Sequence, residues 1–217
     1  MASFASRTGV LKRSGYSGEN NMTAIIYDCE IIKAVPPNDG VGRMQGIEYC
    51  EGWRDFANMG VSVTGVYDYG ERRYRVFCKD NLAELAKLIA ERDLCVGFNS
   101  IPFDNALLLA SQWPTPPAEK SYDLLRETWL ADGLGPEFKY PSHIGYSLDQ
   151  ICEGNFGMRK SGNGAFAPVL WQQGRIGEVI DYCLNDVRMT KAFFDCVMRG
   201  DTITSPVTGK DLLLRIP

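Results

Sequence analysis

The stretch TAIIYDCEII, residues 23–32, decides the fold of this 217-residue chain. Its β-branched and apolar residues are typical of a strand that is buried at the centre of a sheet. Side chains alternate along a strand, so Asp28 and Glu30 point to one face and Cys29 points to the other. Two carboxylates on a desolvated surface repel each other unless a cation compensates them. The stretch therefore predicts a central strand with a candidate cation site; the alternative is a strand that ends near Tyr27, with both acids in solvent.

The composition is that of a soluble globular protein. Hydrophobic residues make up 45% and charged residues 23% of the chain, and its length suits one domain. No apolar run approaches the roughly 20 residues that cross a bilayer, and the first residues lack the apolar core of a secretory signal, so we expect a cytoplasmic protein without a membrane partner. The net charge of −4 excludes a broadly basic surface for non-specific nucleic-acid binding. It suits an enzyme that places metal ions between its carboxylates and substrate phosphates.

The cysteines and the histidine argue against two kinds of site. Seven cysteines occur without a C-x-x-C pair, and this odd number fits reduced thiols better than a disulfide framework. With a single histidine, His143, a zinc site of cysteine and histidine is not expected. We therefore interpret the thiols as free and mostly buried, and His143 as a structural or surface residue.

The chain divides into an extension and one folded region. Residues 1–21 are polar, small and rich in glycine and serine, and we predict a flexible extension; translation from Met22 is an alternative. Residues 22–217 are predicted to form one α/β domain. After the first strand, the patterns predict a hairpin, helix-linked strands, further helices and a terminal hairpin, at residues 61–69, 72–78, 80–93, 94–99, 102–113, 121–125, 147–156, 169–174, 177–198 and 202–216. Three antiparallel strands followed by parallel strands, flanked by helices, resemble the ribonuclease H-like arrangement.

A second group of polar residues follows a predicted parallel strand. In VGFNSIPFDNALL, residues 96–108, Asn99 ends a strand, and Asp104 lies in the first turn of a helix that carries Pro102 at its start. An acid at that position interacts favourably with the helix dipole, which is a purely structural reason for its presence. The turn from strand to helix in an open α/β sheet is also where binding sites form, and this favours a functional role.

A third pair lies on the long helix predicted through residues 177–198. Tyr182 and Asp186 are four residues apart, so they project from the same face, which also carries apolar residues that pack against the sheet. We therefore expect Asp186 to face the central strand and its two acids. In the alternative interpretation, Asp186 pairs only with Arg188 or with solvent.

Together these segments read D-x-E, N-x-x-x-F-D and Y-x-x-x-D in chain order, on a strand, a helix start and a late helix. In this the chain resembles the tyrosine branch of the DEDD superfamily of 3′–5′ exonucleases, from Met22 to about Arg199. It looks most similar to the proofreading exonuclease domain of family B DNA polymerases and to stand-alone relatives, some of them in phages. The histidine branch would carry histidine at position 181, where this chain has Asp181.

Four carboxylates without histidine ligands form a hard-oxygen site, which suits Mg²⁺ or Mn²⁺. The resemblance implies two such ions, with Asp28, Glu30 and Asp186 as direct ligands, Asp28 bridging to the second ion, and Asp104 acting through water. It also implies that Tyr182 positions the attacking water, since a phenol with a pKa of about 10 is a poor base at neutral pH. The implied reaction releases nucleoside 5′-monophosphates from the 3′ end of single-stranded DNA or RNA, with DNA favoured.

Three further residues are predicted substrate contacts. Phe103 stacks on a terminal base or, in the alternative, packs in the core beside Leu107. Asn99 bonds the substrate backbone or holds its own turn. Lys160, in the glycine-rich loop of residues 157–164, contacts a phosphate as the resemblance implies, or is simply solvated.

Other charged residues are predicted to be structural. Asp123 is predicted to cap a helix, and Asp149 to cap or flank its own helix. The run Arg72, Arg73 and Arg75 is interpreted as the solvated face of an edge strand rather than as a nucleic-acid contact.

Two other functions stay open on the sequence alone. One is a non-catalytic nucleic-acid-binding module that has kept the fold, and the other is a structure-specific endonuclease on the same scaffold. The complete set of carboxylates argues against the module, because without metal ions those charges repel phosphate.

Overall fold

The computed structural model describes residues 23–37, 42–162 and 164–217. Its central sheet has five strands in the order β3-β2-β1-β4-β5, namely β1 (Ala24–Ile31), β2 (Val61–Asp68), β3 (Arg73–Phe77), β4 (Leu94–Gly97) and β5 (Ser121–Asp123). The first three strands pair antiparallel, whereas β4 runs parallel to β1 and β5 runs parallel to β4. The predicted α/β fold, with three antiparallel strands followed by parallel strands, is therefore confirmed, and the stretch TAIIYDCEII forms its central strand.

Helices cover both faces of this sheet. They are α1 (Phe56–Met59), α2 (Leu82–Glu91), α3 (Asp104–Ala110), α4 (Leu124–Ala131), α5 (Leu148–Phe156), α6 (Ala167–Gln172) and α7 (Ile176–Met198). The chain ends in a separate antiparallel ribbon of β6 (Ile203–Thr204) and β7 (Asp211–Leu212).

Because α3 begins at Asp104, Pro102 precedes the helix and does not lie in its first turn. None of the helices in the described residues is long and apolar enough to span a membrane, and the predicted extension, residues 1–21, lies outside those residues.

The alternation of side chains along β1 divides the hydrophobic core in two. Ile26 packs with residues of α5 and α7, whereas Ile25 and Tyr27 pack with residues of α2 and α3. Each fully buried isoleucine contributes about 1.5–3 kcal/mol relative to an exposed one. Asp28 and Glu30 follow the parity of Ile26, so both acids lie on the face that α7 covers.

A glycine on β2 lets α7 approach this face closely. Gly65 is the register partner of Asp28. A Cβ atom at Gly65 would lie 2.8 Å from Cys183 Sγ and 3.2 Å from Val187 Cγ2. Because these distances are shorter than ordinary van der Waals contact, a larger residue would push α7 away from Asp28.

The basic run on the edge strand β3 is neutralised within the protein. Arg73 forms an ion pair with Glu71, and Arg75 forms one with Glu84 at 2.8 Å. Exposed ion pairs of this kind contribute little to stability. They nevertheless support the interpretation of the run as a solvated edge, because two of its guanidinium groups already have acidic partners.

The thiols and the imidazole have structural positions. All seven cysteines are free and six of them are buried, as predicted. The buried ring of His143 lies edge-on to Trp129, with 4.7 Å between ring centroids, and His143 Nε2 lies 3.0 Å from the carbonyl oxygen of Gly135. His143 therefore holds its own segment together.

Asp123 joins two turns at the edge of the sheet. Its buried carboxylate accepts hydrogen bonds from the main-chain N–H groups of Leu125 at 3.0 Å and Arg126 at 3.4 Å, so the predicted helix cap is confirmed. It also accepts from the N–H groups of Asn99 at 2.9 Å and Ile101 at 3.0 Å. One side chain thus fixes both the start of α4 and the turn that follows β4.

We predict that Asp123→Ala lowers the free energy of unfolding by about 3 kcal/mol, because it leaves several buried N–H groups without an acceptor. Urea unfolding followed by circular dichroism measures this difference. Asp80→Ala, at an exposed position, is the control and should change stability by no more than about 0.5 kcal/mol. Equal midpoints for the two variants would contradict the role given to Asp123.

Candidate active site

A cavity of about 470 Å³ lies where the carboxyl ends of β1 and β4 meet α7 and the loop before α6. Its wall contains every residue predicted as a metal, catalytic or substrate contact: Asp28, Glu30, Asn99, Phe103, Asp104, Lys160, Tyr182 and Asp186. Segments that are far apart in the chain therefore meet at one place. The roles of these side chains stay predictions, but their proximity is a property of the fold.

The two acids of β1 share their face with a thiol. Glu30 is buried and Asp28 is partly exposed. One ligand atom of each and the Sγ of Cys183 all lie within 4.8 Å of one another, so these three residues could hold a metal ion. The Sγ atom lies 3.4 Å from the main-chain oxygen of Asp28 and 3.7 Å from its Oδ2. The sequence argument missed Cys183, although its position three residues before Asp186 on one helix face was an available signal.

Asp186 pairs with a lysine and not with Arg188. Its Oδ2 atom accepts a hydrogen bond from Lys160 Nζ, which also lies 3.3 Å from the hydroxyl oxygen of Tyr182. Arg188 instead lies over the ring of Tyr74, 5.4 Å from its centroid. Within the described part of the chain, the buried Oδ1 of Asp186 has no hydrogen-bond partner. An acceptor oxygen that is buried and unpaired is the kind of group that a bound cation satisfies.

The loop that carries Lys160 is attached to α5. Asp149 Oδ1 accepts a hydrogen bond of 2.7 Å from the main-chain N–H of Lys160. Asp149 therefore flanks the helix without capping it, since Ser147 is the N-cap and forms a capping box with Gln150. On the other side of the loop, a Cβ atom at Gly164 would lie 2.9 Å from the hydroxyl oxygen of Tyr182. The loop thus packs against Tyr182, and a glycine at position 164 is needed for this close approach.

Asp104 is bound to the central strand itself. β4 pairs with β1 only as far as Ile26, so the next residues of β1 extend beyond their parallel neighbour. The carboxylate of Asp104 takes the missing place: its Oδ1 accepts a hydrogen bond of 2.9 Å from the main-chain N–H of Cys29. Besides complementing the start of α3, Asp104 thereby connects this helix to the strand that bears Asp28 and Glu30.

Burial and mutual repulsion raise the pKa values of the acids. Burial, and then the charge of Asp186, raise the pKa of Asp28 to about 7, against the opposing effect of Lys160. Burial and the charge of Asp28 raise the pKa of both Glu30 and Asp104 well above the usual range. Burial also raises the pKa of Asp186, which Lys160 opposes. The acids therefore resist ionisation together unless positive charge enters the cavity.

Aromatic rings form one wall of the cavity. Phe103 packs against Phe56, with 5.7 Å between ring centroids, and against Trp53 at 6.2 Å. Trp53 is 51% exposed and lines the same cavity, and the sequence argument missed this position. Asn99 has a left-handed backbone with φ of 60°, and its N–H donates to Asp123 while the residue lines the cavity.

The donor set fits a hard divalent cation. Four carboxylates surround the cavity, no imidazole lines it, and one carboxylate oxygen is unpaired within the described chain. Carboxylate oxygens are the ligands that Mg²⁺ and Mn²⁺ prefer. Cys183 is the only soft donor in the potential metal-binding group found among the described residues.

Comparison with known proteins gives one kind of similarity. No protein-family model matches the chain, and no curated protein matches it. Among solved structures, the chain is similar to the family B DNA polymerase from the hyperthermophilic archaeon Pyrobaculum calidifontis, with a TM-score of 0.55 and 16% sequence identity. The match covers 87% of this chain and 26% of the polymerase chain. At this identity the similarity shows the fold alone: the chain has an α/β fold that also occurs in a family B DNA polymerase, and it spans about a quarter of that protein's length.

Proposed function

We propose that the protein is a metal-dependent 3′–5′ exonuclease that hydrolyses phosphodiester bonds at the 3′ end of single-stranded nucleic acid, with DNA favoured over RNA. The observation that carries this proposal is the meeting of four carboxylates, Tyr182 and Lys160 in one cavity, where an oxygen of Asp186 is buried without a partner in the described chain. Similarity of fold to a DNA polymerase supports an activity on nucleic acid.

In this proposal Asp28, Glu30, Asp104 and Asp186 would hold two Mg²⁺ or Mn²⁺ ions. Such ions, when bound, lower the pKa of a water molecule and stabilise the attacking and leaving oxygens of an in-line phosphoryl displacement. The carboxylates contribute negative charge that is held in place before the cations arrive. Their mutual repulsion favours cation binding, because a cation removes the cost of keeping them ionised together.

Tyr182 would orient the attacking water. Burial, and then the charge of Asp186, raise the pKa of Tyr182 above its usual value. The phenol therefore stays neutral at physiological pH and acts as a hydrogen-bonding group rather than as a base. Its position beside Lys160 and Asp186 puts its hydroxyl group next to the charges that a phosphate would meet.

Lys160 would contact a phosphate oxygen. Burial lowers the pKa of Lys160, but the charge of Asp186 opposes burial, and the pKa lies above its usual value. The ammonium group is thus permanently charged inside the cavity. Phe103 and Asn99 line the same cavity: Phe103 would stack on the terminal base, and Asn99 would contact the substrate backbone. Neither contact needs a particular base sequence.

A nuclease assay tests the proposal directly. Single-stranded DNA and RNA labelled at the 5′ end are incubated with the protein in Mg²⁺, in Mn²⁺ or in chelator. We expect a ladder shortened from the 3′ end in either metal, and no products in chelator or with Asp28→Ala. Binding without degradation under every metal condition would favour the non-catalytic module, and cleavage of circular single strands would favour the endonuclease.

We predict that Tyr182→Phe lowers kcat by about tenfold to hundredfold with little change in KM, because the ring keeps its packing and loses the hydroxyl group that orients water. Steady-state kinetics on a labelled oligonucleotide measures both constants. Tyr140→Phe is the matched control, since Tyr140 is 76% exposed and does not line the cavity. An unchanged kcat in Tyr182→Phe would remove the tyrosine from the mechanism.

The pKa of Asp28 predicts how the stability of the metal-free protein depends on pH. This pKa is about 7 in the folded chain, and an aspartate in an unfolded chain has a pKa of about 3.9. Between these values the folded chain holds a proton that the unfolded chain has lost, so the free energy of unfolding falls as pH rises towards 8.

Urea unfolding in chelator at a series of pH values measures this dependence. We expect a shallower fall for Asp28→Asn, and an unaltered fall for the exposed control Asp181→Asn. At pH 8, a divalent cation at one hundred times its Kd should restore about 2.7 kcal/mol to the wild-type protein. A wild-type stability that rises between pH 5 and 8 in chelator would show that Asp28 is not protonated in the folded state.

A further inference from the structure

The cavity that holds the carboxylates opens into a larger groove. This groove, which we name the aromatic groove, has a volume of about 1160 Å³ and shares Asp28, Lys160, Asp186 and the Phe103 ring with the cavity. Beyond the carboxylates it is lined by α4 and by the segment of residues 132–147 that connects α4 to α5. It is therefore continuous with the candidate active site.

The side of the aromatic groove formed by residues 132–147 carries an exposed aromatic ring that packs against buried rings. Phe138 is 60% exposed, and its ring centroid lies 6.3 Å from that of Trp129 and 6.1 Å from that of His143. The imidazole of His143 contacts the carbonyl oxygens of Gly135 at 3.0 Å and Lys139 at 3.2 Å. These contacts place one buried ring beside Gly135 and Lys139, which lie on either side of Phe138 in the chain. Phe138 is thus an apolar surface group whose support is already in place before a ligand arrives.

Two cationic side chains accompany this surface. Arg54 and Arg126 both line the aromatic groove and are exposed. Neither guanidinium group forms an ion pair with any residue in the described ranges, in contrast to those of Arg73 and Arg75 on the edge strand. Glu137 is the exposed acid in the lining of the groove, so the two arginines outnumber it. The groove therefore has positively charged side chains next to the acidic cavity, which neither arginine lines.

We propose that the aromatic groove binds the nucleotides that precede the 3′-terminal nucleotide of a single-stranded substrate. Their bases stack on Phe138, and their phosphates contact Arg54 and Arg126. Aromatic faces and guanidinium groups bind single strands with little dependence on sequence, because every base has a π-face and every linkage a charge. This inference rests on the proposed function, since its occupant is the strand whose end lies among the carboxylates.

Binding measurements on oligonucleotides of increasing length test the inference. Fluorescence anisotropy in chelator follows 5′-labelled oligothymidylates from a dinucleotide to a decanucleotide. We expect the affinity of the wild-type protein to rise with length and then to level off. Phe138→Ala should weaken binding of the longest oligonucleotide by about tenfold and leave dinucleotide binding unchanged, because stacking on one ring is lost. Tyr140→Ala, an exposed aromatic residue of the same segment outside the groove, should match the wild type.

The arginines give a second, independent measurement. Arg126→Ala should reduce the slope of the logarithm of affinity against the logarithm of salt concentration by about 0.7, because one phosphate contact is lost. Lys139→Ala, an exposed cation outside the groove, should leave this slope unchanged. Circular dichroism spectra that match the wild type establish that the variants are folded. If Phe138→Ala does not fold, Phe138→Leu replaces it, since leucine keeps an apolar side chain and removes the stacking face.

The outcomes separate failure of this inference from failure of the proposed function. Affinities that do not depend on length, or equal effects of Phe138→Ala and Tyr140→Ala, overturn the inference. Hydrolysis of the p-nitrophenyl ester of thymidine 5′-monophosphate by the wild-type protein in Mn²⁺ needs only the carboxylate cavity. If that ester is hydrolysed while length has no effect, the exonuclease proposal stands and the groove proposal falls; if neither the ester nor oligonucleotides are hydrolysed, the proposed function falls.

Discussion

Four carboxyl groups line one cavity, and ionising all of them there costs free energy. Burial raises the pKa of Asp28, Glu30, Asp104 and Asp186, and the charge of another acid of this group adds to the effect at Asp28, Glu30 and Asp104. Left alone, such groups take up protons or turn towards solvent. Lys160 relieves part of the repulsion through its ion pair with Asp186. The rest of the repulsion supports the proposal that the cavity holds divalent cations.

Four residues outside or beside the cavity hold the acids in this arrangement, either by a close approach of the backbone or by hydrogen bonds to main-chain N–H groups. Gly65 has no side chain, so α7 can approach the sheet closely beside β1. Asp104 occupies the hydrogen-bonding edge of β1 beyond the end of β4. Asp123 fixes the turn after β4, and Asp149 attaches the loop that carries Lys160 to α5. These contacts connect the turns and loops around the cavity to the sheet and the helices.

The lining of the cavity and of the aromatic groove differs in charge from one part to another. The carboxylates make part of the lining acidic, whereas the rest of the lining of the cavity and the groove carries Trp53, Phe103 and Phe138 together with the exposed Arg54 and Arg126. Acidic side chains attract metal ions and repel a phosphate that carries no metal ion, whereas aromatic and cationic side chains attract single-stranded nucleic acid. This separation of charges gives a physical reason why a chain with net charge −4 can be proposed to act on nucleic acid.

The sequence by itself determined the fold class and the direction of the key side chains. Strand alternation put Asp28 and Glu30 on one face, and helical spacing aimed Asp186 at them, because both rules depend only on local backbone geometry. Only the tertiary structure decided that Lys160 pairs with Asp186 and that Phe138 stands over a groove continuous with the cavity. Both residues lie on irregular segments, whose paths depend on packing and hydrogen bonds with distant parts of the chain. No local periodicity encodes those contacts, so they could not be predicted from the order of the residues.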